Sequence, residues 1–390
     1  MSGNGCYDAI VIGAGSVGVP TALFLTQAGL KVLVLDQHDS AGQGENKAAI
    51  GGVRATHSDP AKIQICLDSL RLFSTWKEEH GDEIGWKEGG YCFPVYREKE
   101  EQVLKGILPI QKGAGLDIDW VGPDRIREIV PGINEEGLRG GTFSPGDGQV
   151  SPLLAVNAWR HAAERGCATF RFRERVTAIP ITKGRVEGVV TDKGSYSSRV
   201  VVNAAGSAAR EVGALAGIDV PVTPDSHEAG ISSPVAPFLG PLIVDLRPGP
   251  EGRTANFYFG QDHRGAIIFC YTPIQLFVGS DRDSTSEFAP IVARRLVSLI
   301  PRLKNLLIRR LWRGLYPMTP DGVAIVDRVK EIEGLYLGAG MCGQGFMMGP
   351  GVGKNLASLI VNGRPVIDPE VFSSLRFDRD FYKAKKEALR

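Results

Sequence analysis

Apolar positions along this chain follow two different rhythms. Ala9–Ile12 is an unbroken apolar run. It is followed by GAGSVG, then by apolar positions at Val19, Leu23, Phe24 and Ala28, then by a second unbroken run, Val32–Leu35. Short unbroken runs suit strands buried on both faces of a parallel sheet, and the three-to-four spacing between them suits a crossover helix. Residues 61–79 read as a helix, with Ile63, Ile65, Leu67, Leu70, Leu72 and Trp76 as its apolar positions. From 84 to 135 the pattern gives a strand in GGYCFPVY, an amphipathic helix in REKEEQVLKGILPIQKGAG and a short helix in VGPDRIREIVPGI. GGTF is strand-like, SPGDG is a turn, and 152–165 is a helix. A strand–turn–strand–turn–strand series follows over 171–203, turning at Gly184 and Gly194, and runs into AAGSAA and another helix.

The second rhythm occupies 216–318. Alternating runs at Ile243–Leu246, Asn256–Phe259, Ala266–Tyr271 and Leu276–Gly279, with a helix at Phe288–Leu299, predict a mostly antiparallel sheet. Near the end, GLYLGAG is strand-like, AGMCGQGFMMGPGVGKN is dense in glycine, and Val352–Val361 reads as a helix. The fold class expected is α/β, α+β overall, with a Rossmann-type domain joined to a second domain on an antiparallel sheet.

Composition narrows this. A chain of 390 residues is too long for one small core and predicts two domains. Lys plus Arg is 45 against Asp plus Glu 44, so neither nucleic acid nor an anionic membrane is an expected partner. No stretch reaches the roughly 18–20 apolar residues of a membrane span. The apolar N-terminal run lacks a basic leader region, and Asp8 precedes it. Six scattered cysteines form no metal-ligand spacing and predict a reducing, cytoplasmic setting.

The first sixty residues carry the clearest chemistry. In GxGxxG, Gly13 permits a tight turn, Gly15 lets a pyrophosphate approach the backbone, and Gly18 lets helix and strand pack closely. The helix N-terminus offers N–H groups to the pyrophosphate, with Ser16 and Val17 in the same turn. Asp36, beside Gln37, lies 18 residues beyond Gly18, where a carboxylate binds ribose hydroxyls. The acid disfavours a 2′-phosphate, leaving FAD and NAD open. The loop QHDSAGQGENKAAIGGVRATHSDP is small and polar enough to wrap a flat ring system. A second apolar strand meeting Gly206 brings further N–H groups to a cofactor.

Taken together, VIGAGSVG…LVLD, IGGVRATHS, GTFSPGDGQVSP, VVNAAGSAAREVGALAGIDVPVTP, GLYPMTPDGVAIV and GLYLGAGMCGQGFMMGPGVGK resemble the D-amino-acid-oxidase-like (DAO) flavoproteins. The likeness is nearest the branch of sarcosine oxidase β-subunit, dimethylglycine dehydrogenase and glycine oxidase. It implies FAD, bound in a domain of the glutathione-reductase and p-hydroxybenzoate-hydroxylase kind. That domain would take residues 1–85, 136–215 and 320–390, leaving 86–135 and 216–319 for a substrate domain. It places Val176 at the adenine, Ala205 and Gly206 at the second nucleotide turn, and Lys47, Ala48, Ala49, Gly51 and Gly52 beside the flavin ring. Gly340, Gly343, Gln344, Gly345, Phe346 and Met347 would lie along the same ring, with Gly349, Gly351 and Gly353 leading into a helix aimed at its N1–C2=O edge.

The resemblance also carries departures. Lys47 stands where some relatives tether flavin through histidine, and Gly314 where monomeric sarcosine oxidase uses cysteine, so non-covalent FAD is expected. Met347 stands where that enzyme has a carboxylate-binding lysine. Arg54 matches an arginine that clamps the substrate carboxylate, and a guanidinium suits that grip. Tyr316 replaces an arginine of the primary D-amino acid enzymes and offers a hydroxyl instead. His227 and Tyr258 are further candidates from the substrate domain, and Cys270 and Cys342 are apolar fillers or pocket lining.

The activity implied is oxidation of a C–N bond in a small amino acid, an N-alkyl or cyclic secondary amine such as sarcosine, dimethylglycine or proline. Electrons would pass to O2 or to a redox partner or subunit, with the chain standing as one subunit of a hetero-oligomer in the second case. AIIFCY has no lysine to match the oxygen-activating one of monomeric sarcosine oxidase, which favours a dehydrogenase. Oxidation of a 2-hydroxy acid, a non-catalytic flavin-binding assembly protein and an NAD enzyme without flavin are the competing readings.

Overall fold

A computed structural model describes residues 5–382. By compactness the described chain forms two units, one of residues 5–47, 152–224 and 316–382, the other of 48–151 and 225–315.

The first unit is built on a six-stranded sheet. Its strands run in the order Thr169–Arg171, Val32–Leu35, Ala9–Ile12, Val201–Asn203, Leu335–Ala339 and Ile325–Arg328. All neighbours are parallel except the last pair. The two unbroken apolar runs are interior strands, and every residue in them is buried. Gly13 takes a φ of +107°, where a side chain would also press on the carbonyl of Ala204. Gly18 opens the helix Gly18–Gln27 against the Gly13 carbonyl. A four-stranded sheet joins Gly5–Cys6, Ser195–Ser197, Gly188–Thr191 and Val176–Ala178. Ile10, Leu33, Val189, Val201 and Leu337 belong to one core between these elements.

The glycine-dense segment departs from expectation. Its helix starts seven residues before Val352, at Gly345, and runs to Asn362 with Pro350 inside it. Gly349 and Gly353 are therefore helix-interior residues. A Cβ on Gly349 would collide with the backbone carbonyl of Ser16, and one on Gly353 would sit 2.6 Å from the amide nitrogen of Thr21. Gly353 lets the two helices approach backbone to backbone, and Gly349 lets the second pack on the turn that leads into the first. That packing outweighs their poor helix propensity.

The second unit carries an eight-stranded sheet. The order is Ile308–Met318, Thr223–Pro234, Ala266–Pro273, Thr254–Gln261, Leu242–Asp245, Tyr91–Val95, Gly140–Ser144 and Asp119–Val121. Leu242–Asp245 pairs parallel to Tyr91–Val95, within an otherwise antiparallel set of described pairings. Phe257, Phe259, Phe269 and the helix Phe288–Leu299 form the core on one face. On the other face Tyr91, Phe93, Leu242 and Val244 form a second cluster. A small sheet of Gly52–Val53, Gly148–Gln149 and Lys87–Glu88 completes the unit.

That small sheet explains why 48–85 and 136–151 lie in this unit, although the sequence groups them with the FAD-binding pieces. Gly52–Val53 pairs with Gly148–Gln149, and Gly140–Ser144 pairs with Tyr91–Val95. Leu276–Gly279 is not a strand. The N–H of Phe277 is held by the Asp225 carboxylate at 2.7 Å, and its carbonyl accepts from the N–H of Ser226. Only a single bridge, Asp225 with Val278, remains of a ladder. Among the described residues no helix is long and apolar enough to cross a membrane.

Candidate active site

In the first unit, the turn after Ile12 and the end of the second strand are locked together. Asp36 accepts a hydrogen bond from the Ala14 N–H at 2.7 Å through one oxygen and from the His38 N–H at 2.8 Å through the other. His38 Nδ1 also lies 2.8 Å from that second oxygen. The carboxylate thereby fixes the loop carrying Gly15, Ser16 and Val17, with Gln37 next in chain. Gly15 itself has ordinary backbone angles and nothing within 4 Å of where a Cβ would stand. The second turn has the same character. Asn203 accepts from the Ala205 N–H and donates to the Ala209 carbonyl, and Gly206, at a φ of +58°, also faces open space. Gly206 begins a 3-10 turn rather than a helix, and the helix proper starts at Ala209. Val176 is a buried residue at the start of its strand.

The remaining ring-side candidates of this unit form the loop 339–347. Gly340 and Gly343 have positive φ, and a Cβ on Gly343 would enter the Tyr316 ring. Cys342 also takes a positive φ of +50°, its thiol 3.0 Å from the Gly340 carbonyl. Gln344 caps the helix with its backbone, while its side-chain Oε1 is buried without a hydrogen-bond partner. Phe346 stacks on Trp159 with ring centroids 6.3 Å apart, and Met347 lies half-buried beside Gly345 in the first helical turn. Open glycine turns at the ends of two parallel strands, a helix N-terminus and an orphaned buried amide oxygen fit a bound dinucleotide.

The chain passes to the second unit through the 3-10 turn Asn46–Ala48, which holds Lys47. The Ala48 carbonyl accepts from the Trp312 indole at 2.9 Å, and a Cβ on Gly314 would stand 2.6 Å from that of Ala48. A cysteine side chain therefore has no room at 314. Ala49 is exposed only in part, Gly51 turns with a φ of +82°, and Gly52 is required by the Tyr91 hydroxyl pressed onto it.

Arg54 follows and is buried. Its guanidinium donates to the carbonyl of Thr56, lies 3.3 Å from that residue's hydroxyl and 3.4 Å from His57 Nδ1, and sits over the Phe93 ring. Among the described residues it forms no ion pair. The nearest acid by sequence register is Asp147, fully buried, whose Oδ1 accepts from the Ala55 N–H at 3.0 Å. Burial pushes its carboxyl up to about 7, against the opposing pull of the Ala55 N–H and the Arg54 charge. Burial raises the Tyr91 phenol in the same cluster, again opposed by Arg54.

The other sequence candidates lie elsewhere in this unit. His227 Nε2 is 3.0 Å from the Asp225 carboxylate, the same group that holds Phe277. Tyr258 is half-buried and sits opposite Cys270 in the antiparallel ladder. The Cys270 thiol donates to the Glu228 carbonyl at 2.9 Å. Tyr316 belongs to the first unit. Sequence reasoning read SPGDG as a turn and did not single out Asp147 and Gln149, since nothing local marks them for burial.

A family model for FAD dependent oxidoreductase (DAO) matches residues 8–359, nine-tenths of the chain. The chain belongs to the DAO family of FAD dependent oxidoreductases. FAD is therefore the cofactor of the family to which the chain belongs. The dimethylglycine dehydrogenase of Homo sapiens is 25% identical over 381 residues, covering 93% of this chain and 43% of that protein. The glycine oxidase of Geobacillus kaustophilus is 26% identical, covering 95% and 97%. The crystal structure of L-proline dehydrogenase from P. horikoshii is 30% identical, with a TM-score of 0.88 and coverage of 96% and 99%. The chain spans less than half the length of the dimethylglycine and sarcosine dehydrogenases it matches.

Proposed function

We propose that this DAO-family chain oxidises the C–N bond of a small secondary amino acid, with non-covalent FAD as the immediate electron acceptor. The observation that carries the reading is the state of Arg54: buried, held in place by Thr56, and without an ion pair among the described residues. A buried charge without a counter-charge is costly, and a planar guanidinium is the group best matched to a carboxylate. An amino acid would supply that carboxylate on binding. The relatives named for dimethylglycine, sarcosine, glycine and proline all act on amino acids, as their names state.

Bound FAD supplies a two-electron acceptor for a hydride from the carbon next to nitrogen. The residues of the chain orient and exclude water. Arg54 would fix the carboxylate and so the carbon bearing the hydride, and the Phe93 ring keeps the guanidinium dry. The amine gives up its proton, an imine forms, and water afterwards adds to the imine carbon. Gly314, which has no side chain to tether flavin, supports dissociable flavin. The electron acceptor is proposed to be a redox partner or carrier rather than O2, with the chain working as one subunit of a larger assembly.

Anaerobic mixing of the yellow protein with sarcosine, dimethylglycine, proline and 2-hydroxy acids tests the class. Bleaching of flavin absorbance by secondary amino acids is the expected result. Bleaching by hydroxy acids alone overturns it, because Arg54 would grip either carboxylate. Slow reoxidation by O2, beside fast reoxidation by an artificial carrier, is expected of a dehydrogenase.

A further inference from the structure

The strand Gly148–Gln149 holds a polar side chain that its own surroundings do not use. Gln149 is 5% exposed, and neither atom of its amide has a hydrogen-bond partner. Burying both a donor and an acceptor unmet is costly, and a methionine would fill the same space without that cost. The amide lies against Gly260, where a Cβ would stand against its nitrogen.

The position of the amide gives it a use. Gln149 is the cross-strand partner of Gly52, and continuing the antiparallel register puts Arg54 opposite Asp147. The Ala55 N–H bond to the Asp147 carboxylate shows that the two segments remain together beyond the ladder. Residues two apart in a strand share a face, as do directly opposed partners. Gln149 and Arg54 therefore belong to one face of the ribbon. The sheet against it agrees. Gly52 is pressed on Tyr91 and Leu242, the Arg54 guanidinium lies over Phe93, and Gln149 lies on Gly260, which the ladder places opposite Leu242. A cation without a counter-ion and an amide without a partner thus face the same strands.

We infer that Gln149 is a specificity-determining residue: its amide oxygen accepts the N–H of the substrate amine while Arg54 holds the carboxylate. The inference rests on the amino-acid reading above and adds the group that distinguishes an amine from a ligand unable to donate. A zwitterion or neutral amino acid meets both needs at once. Its carboxylate satisfies the guanidinium, and its N–H satisfies the amide oxygen.

Proline and its ring-oxygen analogue, tetrahydrofuran-2-carboxylate, separate the two contacts. They share a carboxylate and a ring, and only proline can donate a hydrogen bond. The intact flavoprotein and its Gln149→Met and Gln149→Asn variants are compared by steady-state turnover of proline and by perturbation of the flavin spectrum on binding the analogue. Flavin content and reduction by dithionite establish that each variant is assembled. In Gln149→Met the KM for proline is expected to rise at least 10-fold with kcat within 3-fold, while the Kd of the analogue stays within 3-fold. Gln149→Asn, which keeps the amide on a shorter stem, should recover part of the loss. Equal weakening of both ligands means a packing role and overturns the inference, as does an unmoved KM for proline. If Met cannot be assembled with flavin, the same two ligands on Gln149→Asn decide: a loss for proline alone supports it, and a common loss overturns it. A wild-type flavin that no secondary amino acid bleaches overturns the substrate reading, and this inference with it.

Discussion

The glycine-rich helix of the first unit and the Arg54 ribbon of the second are unusual in opposite ways. In the helix Gly345–Asn362, each odd residue is explained by its neighbours. Gly353 meets the backbone of the helix Gly18–Gln27 and Gly349 that of Ser16 in the turn before it, and Asn355 donates to the Gly351 carbonyl while accepting from Val366 and Ile367. In the ribbon, among the described residues, Arg54 has no ion pair, the side-chain amide of Gln149 has no hydrogen bond, and one oxygen of Asp147 has none. The first region is closed within itself. The second is complete only with something added. Buried polar groups are almost always satisfied, so unmet ones point to a ligand, whereas an unusual residue alone does not.

The largest expected effect breaks the closed region. In Gly349→Val the new side chain must displace the Ser16 carbonyl, which is backbone and cannot swing aside. Overpacking of this kind costs about 3 kcal/mol or more. The variant should lose flavin and melt far below wild type, or fail to accumulate folded. A melting temperature within a few degrees of wild type would show that Gly349 is not in contact with the Ser16 backbone as described.

Asp147→Asn acts next, through pH. The folded carboxyl titrates at about 7, above the value near 3.9 of an unfolded aspartate. The folded chain thus binds this proton more tightly. Its stabilising contribution is fully present below about pH 4 and is lost as pH rises through about 7, on the order of 4 kcal/mol in total. Asparagine keeps the acceptor for the Ala55 N–H and never ionises. The melting temperature of the variant, less that of wild type, should therefore climb between pH 5 and pH 8. A difference independent of pH would mean that Asp147 is ionised and satisfied in the folded protein.

Arg54→Met separates function from stability. Truncating one side of a buried charged contact costs about 2–5 kcal/mol of binding, so kcat/KM should fall about 30-fold or more. Stability should hold or rise, because a buried charge without a counter-ion is removed. A variant that unfolds while its surviving fraction keeps full kcat/KM would move Arg54 into the closed class.

How much of this the sequence discloses depends on how local the cause is. The strand, GxGxxG, helix, strand and Asp36 series lies within thirty residues, so turn sterics and apolar spacing reveal it directly. The helices at 60–80, 152–165 and 288–299 were legible for the same reason. Gly345–Pro350 read as loop because glycine and proline are poor helix formers, and only the distant Ser16 and Thr21 backbone reverses that preference. Asp147 and Gln149 were invisible because their burial arises from pairing with Gly52–Val53, about a hundred residues away. Leu276–Gly279 imitates a strand by composition, but the Asp225 side chain takes the backbone bond that a ladder would use. Arg54 stood out only through the family resemblance.

The smallest expected change is also the sharpest test of the contrast, because it concerns an open glycine in the same unit as the closed helix. Gly15 lies in the same first turn as Gly13 and Gly18, yet nothing stands within 4 Å of its Cβ direction and its φ is not positive. Neither packing nor backbone geometry demands glycine there. Alanine restricts the unfolded chain and should stabilise the flavin-free protein slightly, by about 0.4–1 kcal/mol. If the space is kept for a pyrophosphate against the backbone, the same methyl must weaken FAD binding. Titration of flavin-free Gly15→Ala with FAD, beside its melting curve, is expected to show about 10-fold weaker affinity with an unchanged or higher melting temperature. Unchanged FAD affinity would mean that the open direction at Gly15 is plain surface, and glycines would then have to be sorted into closed and ligand-facing by some other mark than what fills their missing side chain.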